Sequence, residues 1–232
     1  MTIPVVLVHG WGGSFLTTWE RSGMTALLAD ADRPVIGVDL LGHGAAPKPH
    51  DPEAYADLTE RVLDVLPEEP VDAVGFSLGA LTLLRAATNH PHRFGRLVLA
   101  GIGRNVFERD DAGTARILAA LDTSDDDEDA IDDNVARLFV QYANQPGNDP
   151  LALAAVLRRP PAVQLTAEAL ATVTCPVLVI IGDRDFVHPA DDLVAALPDA
   201  RQVVLRHTDH FATPESFGFI DATLEFLDAV PT

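Results

Sequence analysis

The chain alternates between short, continuous apolar runs and longer stretches with one apolar face. Val5-Val6-Leu7-Val8 follows Ile3-Pro4 and runs into His9-Gly10-Trp11-Gly12-Gly13. A run without polar alternation suits a strand buried on both faces of a parallel sheet. Pro34 to Asp39 repeats the pattern and leads to Gly42-His43-Gly44. Val71 to Phe76, Leu97 to Gly101, Val177 to Gly182 and Gln202 to Arg206 supply four more such runs. Helical spacings lie between them. Asp51-Pro52 reads as the cap and first-turn proline of a helix with Tyr55, Leu58, Val62 and Val65 or Leu66 on one side. His188-Pro189 opens a second, reaching Leu197. Thr213-Pro214 opens a third, with Phe217, Ile220, Leu224 and Leu227 in register. Strand and helix alternate, so the expected fold class is α/β, a three-layer structure around a parallel sheet of about six strands.

The alternation breaks once, between residues 104 and 172. Ile131, Val135, Leu138, Phe139 and Tyr142 fit one amphipathic helix, and Leu151 to Leu157 a shorter one stopped by Pro160-Pro161. Before them runs Asp122-Thr123-Ser124-Asp125-Asp126-Asp127-Glu128-Asp129, which reads as a solvated connection. It lacks the central glycine and closing glutamate of a helix–loop–helix calcium site. The expected organisation is a core of residues 1–103 and 173–232 with a helical insertion at 104–172.

Composition narrows the function classes. With 47% hydrophobic and 22% charged residues the chain is expected to fold rather than remain disordered. Thirty-five acids face sixteen bases, a net charge of -19 that repels phosphate backbones and anionic membrane surfaces. Neither nucleic acid nor a membrane is an expected partner. No apolar stretch approaches a membrane span and no secretory leader is visible. The single cysteine, Cys175, excludes an internal disulfide framework and a cysteine-based metal cluster. The expected location is cytoplasmic, with no metal and no cofactor. Oligomeric state stays open.

The chemistry concentrates in Gly75-Phe76-Ser77-Leu78-Gly79, between an apolar strand and a helix carrying Leu81, Leu84 and Ala87. That context puts a serine on a sharp turn with its hydroxyl exposed, and glycine is required where a side chain would strike the neighbouring strand or helix. A serine hydroxyl needs an adjacent base. Among eight histidines, His210 follows the sixth strand, at the carboxyl edge of the sheet where Ser77 also falls. His207 lies closer to the strand. Asp183 and Asp185 follow the fifth strand, and either could orient the imidazole, Asp185 lying deeper in the loop. The N–H groups of Leu78 and Trp11 are candidate donors to a developing oxyanion. Phe76, Leu138, Phe139, Tyr142, Val156 and Phe211 are candidates for the substrate pocket.

With these residues in place the chain resembles the α/β-hydrolase family, in particular its small, cap-bearing serine hydrolases of the carboxylesterase and C–C hydrolase kind. His9-Gly10-Trp11-Gly12 resembles the family's oxyanion loop, and Asp39-Leu40-Leu41-Gly42-His43-Gly44 its D-x-x-G-x-G turn. Ser77 matches the nucleophile elbow. Pro176 to Pro189 resembles the stretch whose aspartate is the triad acid, which favours Asp185 over Asp183. His210-Phe211 resembles the histidine loop. The resemblance implies a triad of Ser77, Asp185 and His210 with oxyanion donors from Trp11 and Leu78. It also implies a small-molecule substrate, a small or medium carboxylic ester or lactone, and a cap at 104–172 roofing the pocket. The same triad serves C–C bond hydrolases and menaquinone-pathway-like lyases, and the fold also includes non-catalytic ligand binders. Ala46 stands where many members have serine, and Asp209 where glycine commonly precedes the histidine. The chain begins at the strand before His9. The resemblance therefore implies an all-parallel sheet of six strands lacking the usual first two, its first strand exposed as an edge open to pairing between subunits.

Overall fold

The computed structural model describes residues 2–122 and 133–230. Six parallel strands, β1 (Val5–Val8), β2 (Val35–Val38), β3 (Val71–Phe76), β4 (Phe94–Ala100), β5 (Val177–Gly182) and β6 (Ala200–Leu205), form one sheet in the order β2-β1-β3-β4-β5-β6. The helices are α1 (Met24–Asp30), α2 (Thr59–Leu63), α3 (Leu78–Asn89), α4 (Asp111–Leu121), α5 (Asn134–Ala143), α6 (Pro150–Arg158), α7 (Ala167–Leu170), α8 (Asp191–Ala196) and α9 (Phe217–Phe226).

The strands show why their sequences lack alternation: both faces are covered. Val6 and Val8 point into a core shared with α2, α3 and α8. Val5 and Leu7 point the other way, into a core built on Trp19, Met24 and Leu28 and on Phe219, Ile220 and Leu224 of α9. In β5, Val177, Val179 and Ile181 take the first side and Leu178 and Ile180 the second. The period of two is present, but apolar on both phases.

Strand order corrects one expectation. β1 is not an edge. It pairs with β2 through Val5–Val35 and with β3 through Val5–Asp72, and its four residues are fully buried. The edge is β2, where Val35 and Ile36 are half-buried and Gly37 is exposed. Chain order decides this: from β1 the sheet grows outward to β2, then reverses across β1 to β3. The loops after β1 and β3 consequently diverge and open a crevice at the carboxyl edge, the place where open parallel sheets bind ligands.

A buried ion pair closes the opposite end. The Arg33 guanidinium donates to Asp72 at 2.6 Å, to the Ile3 carbonyl at 2.9 Å and to the Leu227 carbonyl. It ties the approaches to β1, β2 and β3 to the end of α9.

Three helix starts differ from the pattern reading. The stretch opened by Asp51-Pro52 is two pieces, a tight turn at Pro52–Tyr55 and then α2, with the Asp57 side chain between them accepting from the Thr59 N–H and hydroxyl (2.8 and 2.7 Å). Tyr55, Leu58 and Val62 still face the core, whereas Val65 is exposed. α8 begins at Asp191, beyond His188-Pro189. Thr213-Pro214 opens a separate turn, and Ser216 caps α9 by accepting from the Phe219 N–H at 3.2 Å. The helical segment Phe15–Glu20, α1 and α4 carry no strong sequence signal.

Helices α4 to α7 lie between β4 and β5, with no strand among the described residues there. Ile131 and the acidic run from Thr123 onward lie outside the described residues. α4 and α5 share a small cluster of Ala120, Ala136 and Val140. Ala155, Val156, Leu165 and Leu170 instead join the main core. No described helix is long and apolar enough to cross a membrane.

Candidate active site

Ser77 sits between the last residue of β3 and the first of α3, with φ 51° and ψ -113°. A left-handed serine costs on the order of 1–3 kcal/mol and persists only where its surroundings hold it. Here the Ser77 N–H donates to Ala100 in β4 at 2.8 Å. The flanking glycines are required by contact. A Cβ on Gly75 would lie 2.7 Å from the Ala80 backbone, and one on Gly79 2.3 Å from the Val8 carbonyl.

The loops after β5 and β6 bring two more groups to this turn. Asp183 N–H donates to the Leu205 carbonyl and Arg184 N–H to that of Thr208 (2.9 and 3.1 Å), fastening one loop to the other. Ser77 Oγ lies 2.9 Å from His210 Nε2, and His210 Nδ1 lies 3.0 and 2.9 Å from the two oxygens of Asp185. His210 and Asp185 are both about 5% exposed. Asp185 also accepts from the Val187 N–H at 3.0 Å, which sets the plane of its carboxylate. The imidazole thus donates from Nδ1 and keeps Nε2 free to accept the Ser77 proton.

The alternatives sort themselves by position. Asp183 is exposed, and backbone N–H groups of His207 and Thr208 hold its carboxyl below the usual range. His207, at φ 57°, accepts from Arg184 at 3.1 Å on the surface. Asp209 is exposed and accepts from the Ala212 N–H at 2.9 Å.

Trp11 lies in a turn closed by Gly13 N–H to the Gly10 carbonyl at 3.1 Å, with Gly12 at φ +73°. Leu78 opens α3 directly after Ser77. Neither backbone N–H donates to a protein acceptor among the described residues. Two buried histidines brace this turn, and nothing in the sequence spacing singled them out. His9 donates from Nδ1 to the Gly10 carbonyl (2.7 Å) and accepts at Nε2 from the Leu40 N–H (3.1 Å). Burial lowers its pKa and keeps it neutral, as that pairing requires. The His43 ring lies tilted 5.0 Å from that of His9 and donates to the Leu41 carbonyl at 3.0 Å, its pKa pushed down to about 3 by burial and by His9 beside it. Asp39 accepts from the Phe15 and Ala45 N–H groups (2.7 and 2.8 Å), joining the two turns.

Aromatic rings surround the imidazole. Phe186, Phe76 and Phe211 lie 4.4, 5.0 and 5.5 Å from the His210 ring, and Phe186 was not foreseen. From α5, Phe139 packs on Trp11 at 4.8 Å and Tyr142 stacks on Phe211 at 5.2 Å. A cavity of about 200 Å³ opens beside them, walled by Trp11, Phe76, Tyr142 and Phe211, with Arg21 and Glu215 also facing it. Leu138, Phe139 and Val156 are not among its walls. Val156 is fully buried and packs against Gly42, because α6 lies against the Pro52–Tyr55 turn.

A sequence model of the alpha/beta hydrolase family matches residues 5–222. The chain belongs to the alpha/beta hydrolase family. It is 33% identical over 229 residues to a pimeloyl-[acyl-carrier protein] methyl ester esterase of Aromatoleum aromaticum, covering 85% of this chain and 86% of that one. It is 32% identical over 157 residues to a 2-hydroxymuconate semialdehyde hydrolase of a Pseudomonas species, covering 62% of this chain and only 55% of that relative's length. The solved 2-hydroxy-6-oxo-6-phenylhexa-2,4-dienoate hydrolase of a Rhodococcus species superposes with a TM-score of 0.72 at 21% identity, covering 98% of this chain and 90% of that one, a likeness of fold alone. No described group of three or more His, Cys, Asp or Glu side chains could hold a metal ion.

Proposed function

We propose that this hydrolase cleaves a small or medium carboxylic ester or lactone through an acyl-enzyme. The observation that carries the reading is the unbroken line of hydrogen bonds from Ser77 through His210 to Asp185. Ser77 Oγ attacks the substrate carbonyl while His210 Nε2 takes its proton. The carbonyl π pair moves onto oxygen, where the Trp11 and Leu78 N–H groups receive it. Collapse expels the alcohol, which leaves with the proton from His210, and water repeats the sequence to release the acid and regenerate Ser77. Asp185 stays ionised and holds the imidazolium. Residues 104–172 act as a cap, with Tyr142 of α5 as its contribution to the pocket wall and Phe139 packed behind it on Trp11.

A second reading keeps the same residues and changes the bond. The relative named a 2-hydroxymuconate semialdehyde hydrolase favours C–C bond hydrolysis.

The test is turnover of p-nitrophenyl esters from acetate to decanoate by the wild type and by Ser77→Ala. Multiple turnovers lost on substitution support the serine esterase. Unchanged hydrolysis in Ser77→Ala refutes Ser77 as the nucleophile. Inactivity of both moves the assignment to C–C cleavage.

A further inference from the structure

We infer that Asn148, in the loop between α5 and α6, is the positioning residue that holds the oxyanion turn in shape. Its Nδ2 donates to the Gly12 carbonyl at 2.7 Å and to the Tyr142 carbonyl at 2.8 Å. Both acceptors are carbonyls, so the amide must present its NH₂ group, and the two hydrogens serve one partner each.

The position of Asn148 is itself well determined. Gln145-Pro146-Gly147-Asn148 is a tight turn closed by the Asn148 N–H to the Gln145 carbonyl at 3.0 Å, with Gly147 at φ +93°. The next residue, Asp149, caps α6 by accepting from Leu151 and Ala152 (3.0 and 3.2 Å) and pairs with His50 at 2.9 Å. The amide is thus fixed between two helix ends before it reaches Gly12.

What it grips matters because of peptide geometry. The Gly12 carbonyl and the Gly13 N–H belong to one planar peptide unit. That N–H closes the turn on Gly10, and the Gly10 carbonyl has a second donor in His9. Among the described residues, the Gly12 carbonyl has Asn148 alone. Glycines on both sides leave this peptide free to rotate at little cost. Rotation would break the Gly13–Gly10 bond and turn the Trp11 N–H away. A second tether runs from the adjacent residue, the Trp11 indole N–H donating to the Leu153 carbonyl of α6 at 3.1 Å. Two consecutive residues of the turn are therefore held by the chain between β4 and β5, and seating of that segment is coupled to the oxyanion site.

This inference rests on the proposed acyl-transfer chemistry. It is tested by steady-state kinetics with p-nitrophenyl butyrate and by inhibition with a trifluoromethyl ketone, whose hemiketal oxygen occupies the oxyanion position. Asn148→Ala is expected to lower kcat roughly 10–100-fold, the scale of a catalytic group displaced by about an ångström. KM stays within about threefold, since Asn148 itself is not a wall of the cavity. The ketone's inhibition constant rises in step with the fall in kcat. Asn148→Asp, of the same shape but with neither donor and with charge facing two carbonyls, falls at least as far and replaces the alanine variant if that one does not fold. Full kcat in either folded variant overturns the inference, as does a fall in kcat without weaker ketone binding. A wild type lacking Ser77-dependent turnover shows itself before any Asn148 variant is made, and overturns the hydrolase reading with this inference.

Discussion

Asp185→Asn is the substitution whose effect the geometry specifies most closely. The carboxylate uses one oxygen for both the Val187 N–H and His210, each at 3.0 Å, and the other for His210 alone at 2.9 Å. An asparagine fits the same buried space but has one acceptor and one NH₂. Its oxygen is retained by the Val187 N–H, whose loss would leave a buried backbone donor unpaired at about 1–3 kcal/mol. The NH₂ then faces His210 Nδ1, which becomes an acceptor and moves its proton to Nε2. Nε2 can no longer accept from Ser77, 2.9 Å away. The wrong tautomer and the lost counter-charge together are worth about 10⁴ in kcat in a serine triad, roughly 5.5 kcal/mol of activation free energy. The assay is kcat for p-nitrophenyl butyrate at neutral pH, with circular dichroism to show that the fold is retained. Activity within tenfold of wild type in a folded variant refutes the assigned role of Asp185 and the tautomer argument with it.

Two further predictions concern stability. Arg33→Met leaves the Asp72 carboxylate buried without its guanidinium, at about 3–5 kcal/mol. The expected fall in Tm is on the order of 10 °C; a Tm unchanged within 2 °C, on the scale of roughly 2–4 °C per kcal/mol, counts against the pair as a structural clamp. Burial and the neighbouring His9 push the His43 pKa down from the ordinary imidazole value of 6.5 to about 3. Between those values the unfolded chain binds the proton and the folded chain does not, so stability is lost as pH falls through that window, at about 1.4 kcal/mol per pH unit. His43→Gln is expected to flatten the decline of the urea midpoint between pH 6.5 and 4.5. Identical slopes would show that His43 titrates alike in both states.

The hydrophobic pattern carried the strands because each is apolar on both phases, and no other element of that length would bury β1 or β5 so completely. It carried α3 and α9 for the same reason, since their apolar faces meet the sheet. It misread residues 51–66 because the spacing of Tyr55, Leu58 and Val62 is indifferent to the break between the turn and α2, where Asp57 lies. It missed α1 and α4, which are short or have weakly contrasted faces. The turn at Ser77 was legible because a left-handed serine between close contacts demands glycine at 75 and 79, a local requirement that leaves a local mark.

Other features have no local mark. Asp183 and Asp185 differ by two residues, and spacing alone favoured the second only weakly. The structure separates them through the backbone bonds that turn one carboxylate outward and bury the other against His210. Phe186 and Asn148 were invisible because each acts across a long sequence separation, through a ring face or one amide. The placement of β1 inside the sheet was also a tertiary matter. Its sequence states that both faces and neighbours are buried, but whether β2 lies outside or inside depends on how the chain reverses direction. Sequence alone determined the α/β alternation and the identities of the serine, histidine and carboxylate available for chemistry, since local propensity and glycine sterics act on adjacent residues. The distances among those groups and the shape of the oxyanion turn came only with the tertiary structure, because they are set where loops from different strands meet at one edge of the sheet.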